Sequence, residues 1–540
     1  MPSHSSRVAA ALLLTASVAT SQALTPPPVP YENPLTAAKA VLGKALYWDE
    51  QLSSDNTMAC GSCHRPGAGG ADPRIDRHPG PDALFHTADD RLGSPGVVLT
   101  TPGGLFTPSP LFGLRPQVTG RISPTNVGAA YFSALRWDGK ATETFIDPQT
   151  NQLRIMFGGA LESHAAGPPV NDGEMAFVGR TWSDIAQKVA RVQPLALATN
   201  LPPDLVATLA GNPDYGELAR RAFGTRTIDA TRIIYAITSY QRTLVPDRTP
   251  WDRFVLGDPT ALTTSQQNGL ALFNGAAGCA RCHVPPLFSD GSFRNLGLRP
   301  AGEDLGWQLA TLDPTDRGKF KMPTLRNVGL RNRYMHDGQR TTLAQVVETY
   351  DRGGGPFTDN KDPLLAPLGL SAAQKAELVD FLTNALTDPR AAAEQAPFDR
   401  PLLWSERAPS AFGAPLAGSG GIAPRTIHAQ PLAVGNLEFR VGIADALAGA
   451  TAALVFAFAP GAPGQFLGPL PIHVALVPPP ILVPIALSGS GAGSGHATLA
   501  LPIPANASLR GASLYHQAVV LDAAAPGGIA GSAGAGGVIF

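Results

Sequence analysis

Two short motifs in this sequence carry the residue types that attach a haem covalently. Each motif places two cysteines three positions apart with a histidine directly after the second. The thiols can form thioethers to the two vinyl groups of a porphyrin, and the imidazole then lies beneath the iron. The six side chains are Cys60, Cys63 and His64 in the first motif and Cys279, Cys282 and His283 in the second.

The same spacing also permits a zinc site or a thioredoxin-like redox pair. The histidine that directly follows both pairs favours haem, and the sequence shows no additional ligand pair for zinc. The chain has only these 4 cysteines, so none is left for a disulfide framework. The sequence therefore predicts two covalently bound haem c groups.

The N-terminus has the features of an export signal. Arg7 precedes an apolar stretch from Val8 to Val18, and the small residues of 19–23 offer a cleavage site. A buried N-terminal helix is the alternative, although the prolines at 26–28 would end such a helix at once. We interpret residues 1–23 as a signal peptide. A periplasmic or secreted location agrees with c-type haem attachment, which in bacteria occurs outside the cytoplasmic membrane.

Composition excludes several classes of partner. The 540 residues are 44% hydrophobic, and 41 basic residues balance 42 acidic ones. A chain with so little net charge lacks the basic surface that nucleic acid requires. The most apolar later stretch, 467–487, contains six prolines, which would leave backbone groups unpaired in lipid. We therefore expect no nucleic-acid partner and no membrane span.

Helical patterns dominate the chain up to about residue 400. A Gly/Pro/Asp-rich passage from Arg65 to Thr119 interrupts them and reads as a long functional loop. Helix starts are predicted at Thr264, Thr342 and Ser371, each followed three residues later by glutamine. Helices are predicted over 34–47, 181–192, 203–223, 228–244, 269–273, 343–350 and 372–386.

After residue 408 the charged residues become sparse and the pattern changes to a period of two, as in 437–443 and 499–503. This predicts a small sandwich with a structural or adhesive role. The fold class is accordingly mainly α: two cytochrome c-like haem domains with long loops, followed by a small C-terminal all-β sandwich-like domain. No internal repeat is apparent beyond the two haem motifs. The predicted boundaries are 30–250 and 251–400 for the haem domains, 401–424 for a linker and 425–540 for the β domain.

The sequence resembles the bacterial dihaem cytochrome c peroxidase and MauG superfamily from about Pro34 to Pro389. The resemblance rests on ordered blocks around the two haem motifs rather than on the motifs alone. These blocks are Leu-Gly-Lys-Ala-Leu-Tyr at 42–47, Ser-Pro-Thr at 123–125, Arg-Trp-Asp-Gly-Lys at 136–140, Gly-Pro-Pro at 167–169 with Glu-Met at 174–175, Phe-Lys-Met-Pro-Thr-Leu-Arg-Asn-Val at 320–328 and His-Asp-Gly at 336–338.

The resemblance implies roles for particular residues. His64 is expected to be the proximal ligand of the haem that reacts with peroxide, and His283 that of the electron-transfer haem. Trp137 is expected to lie between the two haems as an electron conduit, or else to be a core indole only. Glu174 matches the distal carboxylate that moves a proton during O–O cleavage, although an acidic residue in such a turn is often merely solvated.

Two departures from the family concern the first haem. His164 stands where peroxidases usually have glutamine, and it could donate to peroxide, ligate the iron and close the site, or be an ordinary loop residue. Ile122 replaces the calcium-binding asparagine, so an interdomain calcium ion is doubtful, although backbone carbonyls near Arg331 and Arg333 could contribute to one. His78 and His86 lie in the long loop and could also close the first haem. The alternative is a first haem that none of these three histidines closes.

The largest departure concerns the second haem. Tyr350 stands where peroxidases have a methionine ligand, as in MauG-like members, and an oxygen ligand there would favour storage of an oxidising equivalent as Fe(IV). Met322 and Met335 are competing ligands. Tyr350 could instead be a core aromatic, because it shares a helical face with Leu343 and Val347.

The leading functional hypothesis is an exported dihaem oxidoreductase that reduces H2O2 at the N-terminal haem, with electrons or oxidising equivalents relayed through the C-terminal haem. The expected partner is an electron-donor protein, such as a small cytochrome or cupredoxin, or an oxidisable protein substrate. Two alternatives stay open at this point: a non-enzymatic dihaem electron carrier, and a surface-binding module with a haem unit attached.

Overall fold

The computed structural model describes residues 24–540, and the predicted signal peptide lies outside them. Helix outweighs strand only up to about residue 400, so the described chain is mixed rather than mainly α. Between residues 24 and 540, no helix is both long enough and apolar enough to cross a bilayer.

The α-helices of the described chain are mostly short and lie before residue 393. They are α1 (Ala37–Tyr47), α2 (Cys60–Cys63), α3 (Ala160–Ala165), α4 (Trp182–Arg191), α5 (Pro203–Leu209), α6 (Tyr215–Phe223), α7 (Ala230–Gln241), α8 (Pro250–Val255), α9 (Thr264–Asn274), α10 (Gln308–Thr311), α11 (Leu343–Asp351), α12 (Ala372–Asp380) and α13 (Pro389–Ala392).

Strands before residue 400 form only two-stranded antiparallel pairs. They are β1 (Asp76–His78), β2 (Arg91–Gly93), β3 (Pro95–Val98), β4 (Pro116–Val118), β5 (Ala134–Leu135), β6 (Ala141–Thr142), β7 (Phe145–Ile146), β8 (Leu153–Ile155), β9 (Phe293–Arg294) and β10 (Phe320–Lys321). The later strands are β11 (Arg425–Ile427), β12 (Arg440–Ala446), β13 (Thr451–Ala457), β14 (Phe466–Leu467), β15 (Leu470–Pro471), β16 (Ile481–Ala486), β17 (Gly495–Ala500), β18 (Ser513–Leu521), β19 (Ile529–Gly531) and β20 (Ala535–Val538).

The first hydrophobic core is built on the contact between α1 and α7. Gly43 makes this contact possible, because a Cβ at that position would lie only 1.8 Å from the carbonyl oxygen of Ala236. Thr36 begins α1 by accepting a hydrogen bond from the amide of Lys39. Tyr47 and Trp48, both fully buried, extend the core from α1 toward the first haem motif.

Two helix predictions need correction. The pattern over 203–223 is not one helix but two, α5 and α6, because Gly211 and Pro213 interrupt it. The capping box of α9 is formed by Thr263 and Gln266, one residue earlier than expected, since adjacent threonines offer two equivalent starts. The predicted starts at Thr342 and Ser371 agree with the structure.

The expectation that the chain has no repeat beyond the haem motifs is wrong. After each motif a Pro-Thr pair, at Pro124 and again at Pro323, is followed by a turn and a short 3-10 helix, and then by the same bend before an Asp-Gly pair. In that bend Arg136 and Met335 have the same left-handed φ of 66°, which few non-glycine residues adopt. The two halves therefore share a backbone path although their side chains have diverged.

The C-terminal strands form two larger antiparallel sheets around a main core, and β14 pairs with β15 in a separate two-stranded sheet. The three-stranded sheet has the order β11-β12-β17, and the larger sheet has the order β16-β13-β18-β19, with β20 also paired to β18. Phe439, Val441 and Ile443 of the first sheet pack in the same cluster as Leu454 and Val520 of the second. The period-two pattern of the sequence corresponds to these strands.

This β module is attached to the helical part by polar and aromatic contacts. The buried ammonium of Lys188 on α4 binds the carboxylate of Glu438 at 2.5 Å. The amide of Phe106, in the long loop, donates to Thr498 Oγ1 at 2.9 Å. The C-terminal Phe540 stacks on Trp404, with ring centres 5.0 Å apart. The long loop after the first haem motif thus partly serves to dock the β module.

A buried ion pair fixes the helix that carries His164. Glu162 on α3 binds the Arg242 guanidinium through both carboxylate oxygens, at 2.7 and 2.9 Å, and both side chains are almost fully buried. Asn33 and Thr238 donate further hydrogen bonds to Glu162 Oε1. A bidentate, fully hydrogen-bonded pair of this kind holds its elements in one geometry.

Candidate haem centres

Both motif histidines are held by a backbone carbonyl. His64 Nδ1 lies 3.0 Å from the carbonyl oxygen of Gly70, and His283 Nδ1 lies 3.0 Å from that of Phe288. A carbonyl oxygen only accepts, so Nδ1 must carry the proton in both rings. Burial lowers the pKa of both histidines, which keeps the rings neutral. Each Nε2 therefore keeps its lone pair for a metal ion.

The four cysteines also fit covalent haem. None of them is in a disulfide within the described residues. Burial raises the pKa of Cys60 and Cys279 to about 12. They are therefore protonated thiols at neutral pH, the state that adds to a vinyl group. This donor set matches the addition of thiols to vinyl groups better than it matches the two alternatives.

A large, mainly apolar cavity lies against the second motif. Cys279, Cys282 and His283 line it, together with Tyr350. Leu343, Val346 and Val347 of α11 line the same cavity, although they also belong to the hydrophobic core of this half. The competing ligands Met322 and Met335 line it as well.

Tyr350 differs from its neighbours in its hydrogen bonding. Its hydroxyl has no hydrogen-bond partner among residues 24–540, and burial raises its pKa well above the usual value. Tyr334, which also lines the cavity, donates to the carbonyl oxygen of Arg331 at 2.8 Å. The half-buried Tyr350 hydroxyl makes no such bond, so it is available to a ligand in the cavity that it lines.

A second, smaller cavity lies against the first motif. Its walls include His64, His164, Arg136 and Leu161. The ring centres of His64 and His164 are 6.2 Å apart, with their planes at 75°. Burial, and the nearby Arg136, lower the pKa of His164 well below its usual value, so its ring is neutral. His164 Nδ1 is buried and has no partner in the described chain.

The two cavities share part of their walls. The residues common to both are Thr125, Trp137, Lys321, Pro323 and Thr324. Trp137 is 7% exposed, and its Nε1 donates to the carbonyl oxygen of Ile122 at 2.8 Å. Its ring centre is 6.4 Å from that of His336. The indole thus contacts both spaces rather than lying inside one core.

Glu174 lies close to the first motif but outside the lining of the small cavity. Its Oε1 accepts a hydrogen bond from Asn171 Nδ2 at 2.9 Å, and its charge acts on Cys60 and Cys63. Burial raises the pKa of Glu174, while Arg136 opposes that shift. The carboxyl is thus half-buried near the first motif and is not simply a solvated loop residue.

The other two loop histidines lie elsewhere. His78 packs its ring on Phe112, with centres 5.7 Å apart, and its Nδ1 accepts from the amide of Gly80. His86 has a left-handed φ of 69° in a turn closed by Asp90. Neither histidine belongs to the walls of the two cavities described here.

Sequence reasoning missed two residues of the shared region. His336 stacks on Phe320 with ring centres 3.5 Å apart, and burial lowers its pKa to about 4. Lys321 lines both cavities, and its ammonium lies 3.7 Å from the ring centre of Phe132. Both belong to sequence blocks that were recognised only as family markers. The signal that could have found them is the repeat, because His336 holds the place in the second half that Trp137 holds in the first.

Comparison with known proteins agrees with this geometry. A family model described as "Di-haem cytochrome c peroxidase" matches residues 37–260. The cytochrome-c peroxidase IdrP1 of Pseudomonas sp. strain SCT is 32% identical over 395 residues, which cover 66% of this chain and 83% of that protein. The methylamine utilization protein MauG of Methylorubrum extorquens is 32% identical over 372 residues, which cover 67% and 82%.

A solved structure shows a similar fold. The crystal structure of a MauG-like protein associated with microbial copper homeostasis is 26% identical, covers 70% of this chain and 96% of that one, and superposes with a TM-score of 0.52. Two haem-binding motifs whose histidines are held by a backbone carbonyl in the same way accompany these similarities. The chain therefore belongs to the dihaem cytochrome c peroxidase and MauG family, and it is an oxidoreductase that carries two covalently bound c-type haems.

Proposed function

We propose that the chain reduces H2O2 at the haem of His64 and exchanges the oxidising equivalents with the haem of His283 through Trp137. The observation that carries this proposal is the shared wall, in which one indole borders both haem cavities. When bound, the first haem supplies the iron at which peroxide is reduced. The protein side chains hold, orient and protonate the reactants.

The proposed division of labour follows the repeat. Residues 30–250 form the peroxide-reacting haem domain, residues 251–400 form the electron-transfer haem domain, and residues 425–540 form the β module beyond a linker at 401–424. Contacts such as Lys188 to Glu438 support a β module that is fixed on the first haem domain rather than tethered loosely. Export to the periplasm or beyond remains part of the proposal.

In this proposal Glu174 is the proton-transfer group for O–O cleavage. Its carboxylate can take the proton from the inner oxygen of bound peroxide and return it to the leaving oxygen. A pKa raised by burial helps, because a carboxyl whose pKa is closer to neutrality can carry out both steps. Asn171 holds Oε1 and leaves Oε2 for the reactant.

His164 is proposed as the sixth ligand of the first haem at rest. If His64 and His164 both held one iron, with bonds of about 2 Å and ring centres about 1 Å beyond each nitrogen, their ring centres would be about 6 Å apart. The observed 6.2 Å matches this arrangement. A histidine that hydrogen-bonds to bound peroxide must leave room for two oxygen atoms and would lie several ångströms further away. His164 must therefore move before peroxide can bind.

The second haem is proposed to be ligated by Tyr350. Met322 and Met335 border the same space, but the unpartnered hydroxyl of Tyr350 favours the tyrosine. An anionic oxygen ligand lowers the reduction potential relative to a thioether and favours storage of oxidising equivalents. The reductant is then either a small electron-transfer protein or an oxidisable protein substrate, as in MauG-like enzymes.

Replacing Glu174 tests the peroxidase proposal. We expect Glu174→Gln to slow steady-state turnover of H2O2 by about 10²–10⁴-fold, because the amide keeps the shape but cannot transfer a proton. The absorption spectra of both haems should stay nearly the same. Asp172→Asn, two residues away and exposed, is the matched control and should keep the wild-type rate. Equal turnover in the two variants would remove Glu174 from the mechanism.

Replacing His164 tests the resting ligand. In His164→Ala the first haem should change from a low-spin to a high-spin ferric signal, and it should bind peroxide without prior reduction. His78→Ala should leave the spectrum unchanged, because His78 packs on Phe112. EPR of the ferric haem-loaded proteins measures both outcomes. A low-spin first haem in His164→Ala would show that another residue closes the site.

Tyr350 is tested through the potential of the second haem. Tyr350→Met should raise its midpoint potential by on the order of 0.1 V, within the range of about 0.8 V that axial ligands cover. Tyr350→Phe should also change the spectrum, whereas Tyr334→Phe in the same cavity should not. Spectroelectrochemical titration measures all three variants. If neither Tyr350 variant changes the potential or the spectrum, the phenol only packs.

A further inference from the structure

The shared wall contains a buried cation without a partner. Lys321 is 9% exposed, and its Nζ makes no hydrogen bond to any described residue. The carboxylate whose charge acts on Lys321 is that of Asp290. It already binds the Arg294 guanidinium and the Ser292 hydroxyl. Burial lowers the pKa of Lys321 to about 7, which reflects this missing partner. Burying an ammonium group is costly unless an anion compensates for it.

The position of this lysine limits what the partner can be. Lys321 lines both haem cavities, and its Nζ lies 3.7 Å from the ring centre of Phe132, which lines the smaller one. The aromatic face stabilises the ammonium but satisfies none of its three N–H donors. A partner must therefore come from inside the cavities. Each haem brings two propionate carboxylates, which need cationic or hydrogen-bonding partners when they are buried.

The other cations of these walls are mostly engaged already. Arg294 binds Asp362 and Asp290, and Arg326 binds Asp252 through two hydrogen bonds. Arg331 donates to the carbonyl oxygen of Ser123. Arg331 lines only the larger cavity and Arg136 only the smaller one, so within residues 24–540 Lys321 is the cation without an ion pair that borders both cavities.

We propose that Lys321 binds a haem propionate at the wall between the two cavities and thereby positions the haem edge against Trp137. The backbone supports this link, because the amide of Lys321 donates to the carbonyl oxygen of Trp137 at 2.9 Å. Lys321 would then bind the main chain of Trp137 through its own amide and a haem carboxylate through its side chain. The site takes a carboxylate of either haem. Lys321 is a positioning residue, since it would not touch peroxide.

The test is the midpoint potential of each haem in the haem-loaded chain. Removing a cation next to a haem favours the ferric state, so Lys321→Met should lower the potential of the haem that it contacts. We expect about a tenfold change in that redox equilibrium, equivalent to about 59 mV for a one-electron couple. Lys321→Arg should keep the wild-type potentials. Lys140→Met, which removes an exposed lysine near Trp137, is the matched control and should leave both potentials unchanged.

The identity of the shifted haem tells which propionate is bound. If Lys321→Met folds, retains both haems and shifts neither potential, the proposal is wrong. If that variant does not fold, the crystal structure of the unaltered haem-loaded chain decides instead. Nζ should lie within about 3.2 Å of a propionate oxygen. Nζ resting only on Phe132, with every haem carboxylate elsewhere, would overturn the proposal.

This inference depends on the two haems but not on the peroxide reaction. The titration is an equilibrium measurement made without H2O2. A chain that fails to turn over peroxide but shows the potential shift would contradict the proposed function and support the lysine site. A chain that turns over peroxide but shows no potential shift in Lys321→Met would contradict the lysine site alone.

Discussion

A reciprocal pair of main-chain hydrogen bonds joins the two halves of this protein between its haem cavities. The amide of Lys321 donates to the carbonyl oxygen of Trp137 at 2.9 Å, and the amide of Ile122 donates to that of His336 at 3.2 Å. Lys321 and Ile122 hold the same place in the repeat, two residues before its proline. Each half thus donates the equivalent main-chain hydrogen bond to the other half, so the two halves are related by approximate two-fold symmetry at this point. The position of Trp137 against both cavities depends on it.

This exchange explains how a duplicated backbone supports two different haem environments. Both halves keep the Nδ1–carbonyl bond that prepares the proximal histidine, and both keep the left-handed bend before Asp-Gly. The side chains at the contact between the two halves have diverged. The first half presents an indole where the second presents an imidazole, and the aliphatic Ile122 corresponds to the cationic Lys321. The two cavities therefore present different side chains although the backbones around them are alike.

The sequence predicted the local features well and the relations across space poorly. The haem motifs, the caps at Thr342 and Ser371 and the change to strands after residue 408 depend on neighbouring residues, so their patterns were readable. The break between α5 and α6 was also marked, by Gly211 and Pro213, but the apolar periodicity on both sides concealed it. The repeat was not recognised because only a few of its residues are kept, such as Pro-Thr and Asp-Gly, with different residues between them.

Distance across a cavity is the information that the sequence lacked. His164 had three open roles at the level of sequence, and they differ only in how far its ring lies from that of His64. The structure gives 6.2 Å, which argues for ligation. Tyr350 and the two methionines border one space, so there the chemistry of the unpartnered hydroxyl, rather than position, distinguishes them. Lys321 was invisible for the same reason, because a lysine in sequence carries no sign of burial.

The account depends most on redox coupling through Trp137. The direct measurement is the EPR spectrum of the haem-loaded ferric chain, rapidly frozen after one equivalent of H2O2, in the wild type and in Trp137→Phe. In the wild type the signals of both haems should change together, and in Trp137→Phe the change of the His283 haem should be delayed. Simultaneous changes at both haems in Trp137→Phe, or an unaltered His283 haem in the wild type, would contradict it.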